Sequence, residues 1–452
     1  MTFKEPYELS VKEASDLIRR QELSPVDLVK SCVKRIEALE ERLKAWALVD
    51  QEGALQAARL SEAEVKEGKW RGPLHGIPIG IKDIFYTAGL RTEAGSRTLA
   101  GFVPSYDASA VERLKEAGAI ILGKTQTTEF ACLDPAPTRN PWNLDHTPGG
   151  SSSGSAAAVA GRMCPVALGS QTAGSTLRPA AYNGIVGVKA ERGRISTYGV
   201  VPLSWRLDHI GILARTVEDA AITLQAIAGY DPKDLHCLNA PVPDLLASLK
   251  ANRPPRLGLV RGYFFDNADE EMRCHTEEVA EKLRNAGANV TEVVLPPDFG
   301  VAADINRVIM EAEAAAYHEE AFARKKDLYR VNIRQLIEDG LAAPVTTYVR
   351  ALEERLAQRA KMTPLLLKWD ALFTPGATGA APEGLDGTGN PTMQRPWTTI
   401  GIPTIALPTG LNPKGLPLGI QLVGAPFAED KLFAVAWWCE KALNVHLKPP
   451  LE

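Results

Sequence analysis

Apolar positions along the chain follow two different periods. From residue 8 to about 50 they recur at helical spacing, and Val26, Leu28, Val29, Cys32, Val33, Ile36 and Leu39 would share one face. Ser10 followed by Glu13 reads as a capping box, and Ser24-Pro25 opens a second helix with proline in its first turn. Residues 51–68 read as a further, charged helix. Near residue 74 the pattern changes. Ile77–Ile81 is a short β-branched run between glycines and prolines, which reads as a buried strand. A helix at 108–118 and a strand at Ala119–Gly123 follow, and the alternation runs on to about residue 228. Strand–helix alternation predicts an α/β layer architecture with a largely parallel sheet.

Four prolines between Pro241 and Pro255 mark a joint or surface loop. Beyond it the pattern predicts a strand at Leu257–Val260, a helix at 268–287 and a strand at Ala288–Leu295. Residues 303–372 read as mostly helical and charged, and 374–391 as a long Gly/Pro-rich loop. Strands near Thr404–Leu407 and Leu418–Val423 and a helix at 428–443 complete the series.

Charge changes this picture little. Acidic side chains number 55 and basic ones 51, a formal net charge of −4, so no basic excess points to a nucleic-acid partner. No apolar run reaches the length of a membrane span. The opening Met1–Pro6 lacks a secretory pattern, and six cysteines are scattered singly, which together predict a cytoplasmic protein. Seven histidines show no metal-ligand spacing, so neither a metal nor a cofactor is expected.

Candidate chemistry gathers in three places. Thr147–Ser155 reads Thr-Pro-Gly-Gly-Ser-Ser-Ser-Gly-Ser and runs into an alanine-rich helix. Composition alone would make it a flexible linker, and a phosphate loop would need a Gly-Lys-Ser/Thr that is absent. In the second, Ala167–Ala181, a strand-like piece enters a small-residue turn ending at Ser175. Successive amides in such a turn can form an anion nest, as acyl transfer requires, but a lone serine there is more simply a turn or capping residue. The third is Lys82, which ends the strand at Ile77–Ile81. It either snorkels at a strand end or is desolvated, and desolvation would make its amine a base. His75, His146 and His209 are the histidines near enough in sequence to test for a Ser-His-Asp arrangement.

With these segments together, the chain resembles the amidase signature family of serine hydrolases. The matching pieces include Gly76–Asp83, Gly123–Phe130, Asn140–Asn143, Gly149–Ser155, Gln171–Ala181, Gly184–Lys189, Asp208–Gly211, Arg215–Ala220, Arg395–Trp397 and Gly419–Gly424. The resemblance implies one domain over 1–452, built on a large, twisted, mixed and mostly parallel β-sheet with helices on both faces. Within it, 8–70 would be an N-terminal helical segment and 71–230 the catalytic core. Residues 231–394 would form a variable, mainly helical specificity region, and 395–443 the return to the sheet. It also implies roles: Lys82 as base, Ser151 as a bridging serine usually preceded by a cis peptide, and Ser175 as nucleophile. Backbone amides of Thr172, Ala173, Gly174 and Ser175 would form the oxyanion hole. Ala131 and Cys132 would line the substrate pocket by analogy.

Several positions depart from one common form of the motif. Gln171 stands where many members have Asp, Ala173 replaces a glycine, and Leu177 occupies the place of an arginine that one branch uses to hold the carboxylate of glutamine. The arginine here is Arg178. Arg206 is read either as a surface residue or as a pocket residue favouring a polar or anionic substrate. The expectation drawn from these departures is an amidohydrolase of a small amide or urea-like compound. Its expected partners are a small-molecule amide and water, with no nucleic acid or membrane; a homodimer is admitted, and the need for a partner subunit is left open. The glutaminase subunit of an aminoacyl-tRNA amidotransferase ranks second, and a non-catalytic binding protein third.

Overall fold

Local chemistry opens the first helix as the sequence predicts. In the computed structural model, which describes residues 5–250 and 253–451, Ser10 and Glu13 close the capping box on α1 (Val11–Arg19). Residues 1–4, on which the reading of the N-terminus partly rests, lie outside that range. Ser24 caps α2 (Pro25–Leu43), whose buried face carries Leu28, Val29, Cys32, Val33, Ile36 and Leu39. The helical pattern does not persist to residue 50: Trp46–Val49 is a strand, β1. The chain leaves α2 at Lys44, which takes a left-handed φ of 50°, and the Glu40 carboxylate accepts the amides of Ala45 and Trp46. That stop is made by a lysine rather than a glycine, so no punctuation announces it. Gly123 answers on the neighbouring strand: a Cβ there would sit 2.2 Å from the Leu48 carbonyl oxygen.

The remaining elements follow in order as α3 (Gln51–Lys66), β2 (Pro78–Lys82), α4 (Ser109–Glu116), β3 (Ile120–Thr125), α5 (Ser153–Ala160) and β4 (Val166–Gln171). Next come α6 (Leu177–Asn183), β5 (Val186–Lys189), β6 (His209–Ala214), α7 (Val217–Ile227), α8 (Leu245–Ser248), β7 (Arg256–Leu259), α9 (Gly262–Asp266) and α10 (Glu270–Asn285). The chain continues through β8 (Asn289–Glu292), α11 (Val301–Lys325), α12 (Val331–Ala342), α13 (Val345–Leu366), β9 (Ala371–Pro375), α14 (Arg395–Ile400), β10 (Thr404–Leu411), β11 (Pro417–Val423) and α15 (Glu429–Leu443). β9 falls where the pattern predicted the end of a helix and the start of a loop. It is fully buried, so no polar alternation marks it.

All these strands join one 11-stranded mixed sheet, in the order β1-β3-β2-β4-β6-β5-β10-β11-β9-β7-β8, flanked by helices. Parallel pairing is confined to β3–β2–β4 and β9–β7–β8. The other neighbours, including the whole run β4–β6–β5–β10–β11–β9, are antiparallel, so the parallel share is smaller than the alternation implied. Connectivity dictates one of these pairs: β10 reaches β11 through a turn too short for the crossover that parallel strands need.

Two apolar clusters hold the layers together. The larger packs α1–α7 and α15 against the sheet, and the smaller centres on the fully buried Trp397 of α14. Trp397 lies 5.4 Å from Phe264 and 4.7 Å from Phe299, ring centre to ring centre. Among the described residues no helix is long and apolar enough to cross a membrane.

Candidate active site

Parallel pairing of β2 with β4 brings Lys82 beside the end of the strand that precedes Ser175. Lys82 is fully buried, which decides between its two readings: the amine is desolvated, not snorkelling. Its Nζ lies 2.7 Å from Ser151 Oγ and 2.8 Å from Ser170 Oγ. Burial draws its pKa down to about 7, while the Asp208 carboxylate acts in the opposite direction. The Gly150–Ser151 peptide is cis.

The serine-rich run is not a linker, since Ser151, Ser152, Ser153 and Ser155 are all buried. Three of the hydroxyls are held by main-chain carbonyls. Ser152 Oγ donates to Ser170 O and accepts the Ser170 amide, Ser153 Oγ donates to Gly149 O, and Ser155 Oγ donates to Leu168 O. Ser151 is the one aligned with the lysine. The Ser152 amide donates to the Ser175 carbonyl at 3.1 Å, which ties this run to the turn carrying Ser175.

That turn is shaped by the residues that depart from the common motif. Gln171 Oε1 accepts the amides of Thr176 and Leu177, both at 2.9 Å, and its Nε2 donates to Thr398 Oγ1. Thr398 Oγ1 donates in turn to the Ala173 carbonyl at 2.7 Å, and Asn306 Nδ2 donates to the Thr172 carbonyl. The turn's carbonyls are thus held from behind. Among the described residues, the amides of Ala173, Gly174 and Ser175 donate to no protein acceptor. Ala173 is not among the residues with positive φ, so alanine carries no backbone strain in place of glycine. Gly174 does need its small size: a Cβ there would lie 3.0 Å from both Gln394 Oε1 and Pro391 Cβ.

Thr172, Ala173, Gly174 and Ser175 line a cavity of about 280 Å³ together with Ala131 and Cys132. Arg178, Arg307, Arg395, Glu311 and Asp339 add charge of both signs to its wall. Arg178 is spent internally, on the carbonyls of Gly150 and Gly389 and on Thr388 Oγ1. Leu177 is fully buried in the core and not part of this lining. Arg206 is not part of it either. Its guanidinium pairs with Glu313 at 2.6 Å and with Tyr348 OH at 2.8 Å. None of the three histidines meets a candidate serine: His75 faces Glu64, His146 the Ala381 carbonyl and His209 the Leu207 carbonyl. Among the described residues no three His, Cys, Asp or Glu side chains gather to hold a metal.

Two participants carry no signal of their own in the sequence. Ser170 is recognisable only through strand pairing, as a polar residue in a buried strand beside that of Lys82. Asp208, which the sequence marks only as part of a motif, accepts Thr172 Oγ1 at 2.5 Å and the amides of Leu203 and Ser204. Burial lifts its pKa to about 6.

A family model described as Amidase matches residues 27–433. The chain is 35% identical over 479 residues to a glutamyl-tRNA(Gln) amidotransferase subunit of Geobacter metallireducens, covering 98% of this chain and 99% of that protein. Its fold is similar to that of a peptide amidase from Stenotrophomonas maltophilia, with a TM-score of 0.88, 32% identity, and 99% and 100% of the two chains covered. It is also similar to a chain from a vestigial protein complex tied to the origins of an s-triazine catabolic enzyme, with a TM-score of 0.91, 28% identity, and 98% and 100% covered. The name of the Geobacter relative corrects two expectations: a simple linear amide or urea-like compound as the substrate, and the absence of nucleic acid. Those expectations rest on the net charge and on Leu177, a core residue outside the cavity lining, and both weigh less than similarity along the whole chain.

Proposed function

The chain belongs to the amidase family, and from that premise we propose that it is the amide-cleaving subunit of a glutamine-dependent amidotransferase. Glutamine would give up its side-chain amide nitrogen here as ammonia, for transfer to a glutamyl-tRNA held by partner subunits. A net charge of −4 is compatible with this, because the nucleic acid would rest on the partners. Six free thiols support a reducing, cytoplasmic setting.

The observation that carries the reading is the Lys82–Ser151 contact of 2.7 Å, made by a lysine whose pKa is drawn down to about 7. Near neutral pH a large share of Lys82 is the free amine, which accepts the Ser151 hydroxyl proton while donating to Ser170. Ser151 takes the proton of Ser175, whose Oγ attacks the amide carbon. The developing oxyanion is met by the free amides of Ala173, Gly174 and Ser175. Collapse of the intermediate returns the proton through Ser151 to the leaving nitrogen, ammonia departs, and Ser175 is left as a glutamyl ester. Water, deprotonated along the same relay, attacks the ester and releases glutamate. The cavity's mixture of guanidinium and carboxylate groups suits a zwitterion such as glutamine.

The test is ammonia release from glutamine by the purified chain, then transfer to glutamyl-tRNA after partner subunits are added. No glutamine turnover in either setting would refute the reading.

A further inference from the structure

Arg395 begins α14 and lines the Ser175 cavity. Its surroundings differ from those of Arg178 on the same wall, which is bound to two carbonyls and a hydroxyl. Among the described residues, no hydrogen bond or ion pair holds the Arg395 guanidinium; its Nε is buried without a partner, as is that of Arg178, but its terminal nitrogens lack the bonds that Arg178 makes. Burial lowers its pKa, and Asp304 acts on it only through space. A partly buried guanidinium with no counter-ion is costly, and proteins keep such groups where a ligand completes them.

The helix holds that guanidinium toward the cavity. Trp397 is locked in the aromatic cluster with Phe264 and Phe299. Residues two apart on a helix point roughly 200° apart, so fixing Trp397 inward turns Arg395 the other way. The helix is also clamped to the turn at Ser175, through Thr398 Oγ1 on the Ala173 carbonyl and through the Gln394 side chain against Gly174.

We infer that Arg395 receives the carboxylate of the amide substrate and so determines specificity for anionic amides. It would fill the part left vacant by Leu177, from a different element. Planar, two-pronged pairing of guanidinium with carboxylate is the contact this residue type makes best. The inference rests on the amide-hydrolase reading of the Ser175 cavity.

Three amides test it: glutamine, succinamate and the uncharged butyramide. The wild-type chain is expected to prefer succinamate over butyramide in kcat/KM. In Arg395→Gln that ratio should fall about 30-fold or more, mostly through KM, with partial recovery in Arg395→Lys. A ratio unchanged by Arg395→Gln, or a wild-type ratio at or below one, overturns the assignment. If the chain alone turns nothing over, calorimetric binding of succinamate to Ser175→Ala, with and without Arg395→Gln, decides. Absent or equal binding overturns it. A wild type that cleaves succinamate with Arg395-dependent preference but ignores glutamine would sink the glutaminase reading and leave this assignment standing.

Discussion

The floor and the roof of the cavity are built on opposite plans. The floor, from β2, β4 and the serine-rich run, is dry, made of small residues, and bonded at almost every polar atom. The roof, from α11, α12 and α14, carries long charged side chains, several of them half-exposed, and one guanidinium with no partner. A rigid floor keeps proton donors and acceptors at fixed distances, which reaction chemistry needs. A roof with unspent charge is suited to selecting a ligand. Substitutions in the floor should therefore act on kcat, and those in the roof on KM.

The largest effect expected is in the floor. Ser175→Ala or Lys82→Met should each lower kcat for amide hydrolysis by about 10⁴-fold or more with the fold retained, as checked by ammonia release and circular dichroism. A residual rate near wild type in either variant would break the assignment of the relay. Ser170→Ala, which removes a lysine contact but no relay proton, should cost about 10- to 100-fold in kcat with little change in KM. A change confined to KM would place Ser170 with the roof instead.

The third effect is a displacement, not a loss. Lys82 must be neutral to act, and its pKa is near 7, so activity should fall as pH drops below about 7. The Asp208 carboxylate favours the charged lysine, so Asp208→Asn should lower the lysine pKa and move that acidic limb to lower pH. A limb that stays in place, or moves upward, would separate Asp208 from the lysine. The smallest effect is expected at Arg206. Arg206→Ala should leave the substrate ranking unchanged and cost about 1 kcal/mol in urea unfolding, because it removes the half-exposed partner of Glu313, a buried carboxylate that keeps the Ser204 and Tyr348 hydroxyls and the residue 206 amide as donors.

The same contrast explains how much could be read from sequence. The floor is legible because its chemistry demands particular small residues at set intervals, as in Gly149–Ser155 and Gln171–Ser175. Lys82 needed one fact beyond pattern, namely that its strand is buried on both faces. Ser170 and Asp208 were hidden because their part depends on which strands lie side by side. The roof was not legible: Arg307, Glu311 and Arg395 sit on helices far apart in sequence, where a charged residue ordinarily means a solvated face. Leu177 misleads because it draws attention to one position, whereas the cavity takes its charge from other elements. β1 and β9 escape notice for a simpler reason, since each directly follows a stretch whose helical pattern is carried on into it.

The locked hydroxyls of the serine-rich run have a use in counting. A reagent that esterifies only base-activated serines would find Ser175, which is 8% exposed, while Ser152, Ser153 and Ser155 are at 0–2% and held by main-chain carbonyls. Modification should stop at one equivalent per chain despite the density of serine around the site. The extent of labelling in any preparation would then equal its fraction of competent molecules, and turnover numbers could be stated per working site rather than per milligram.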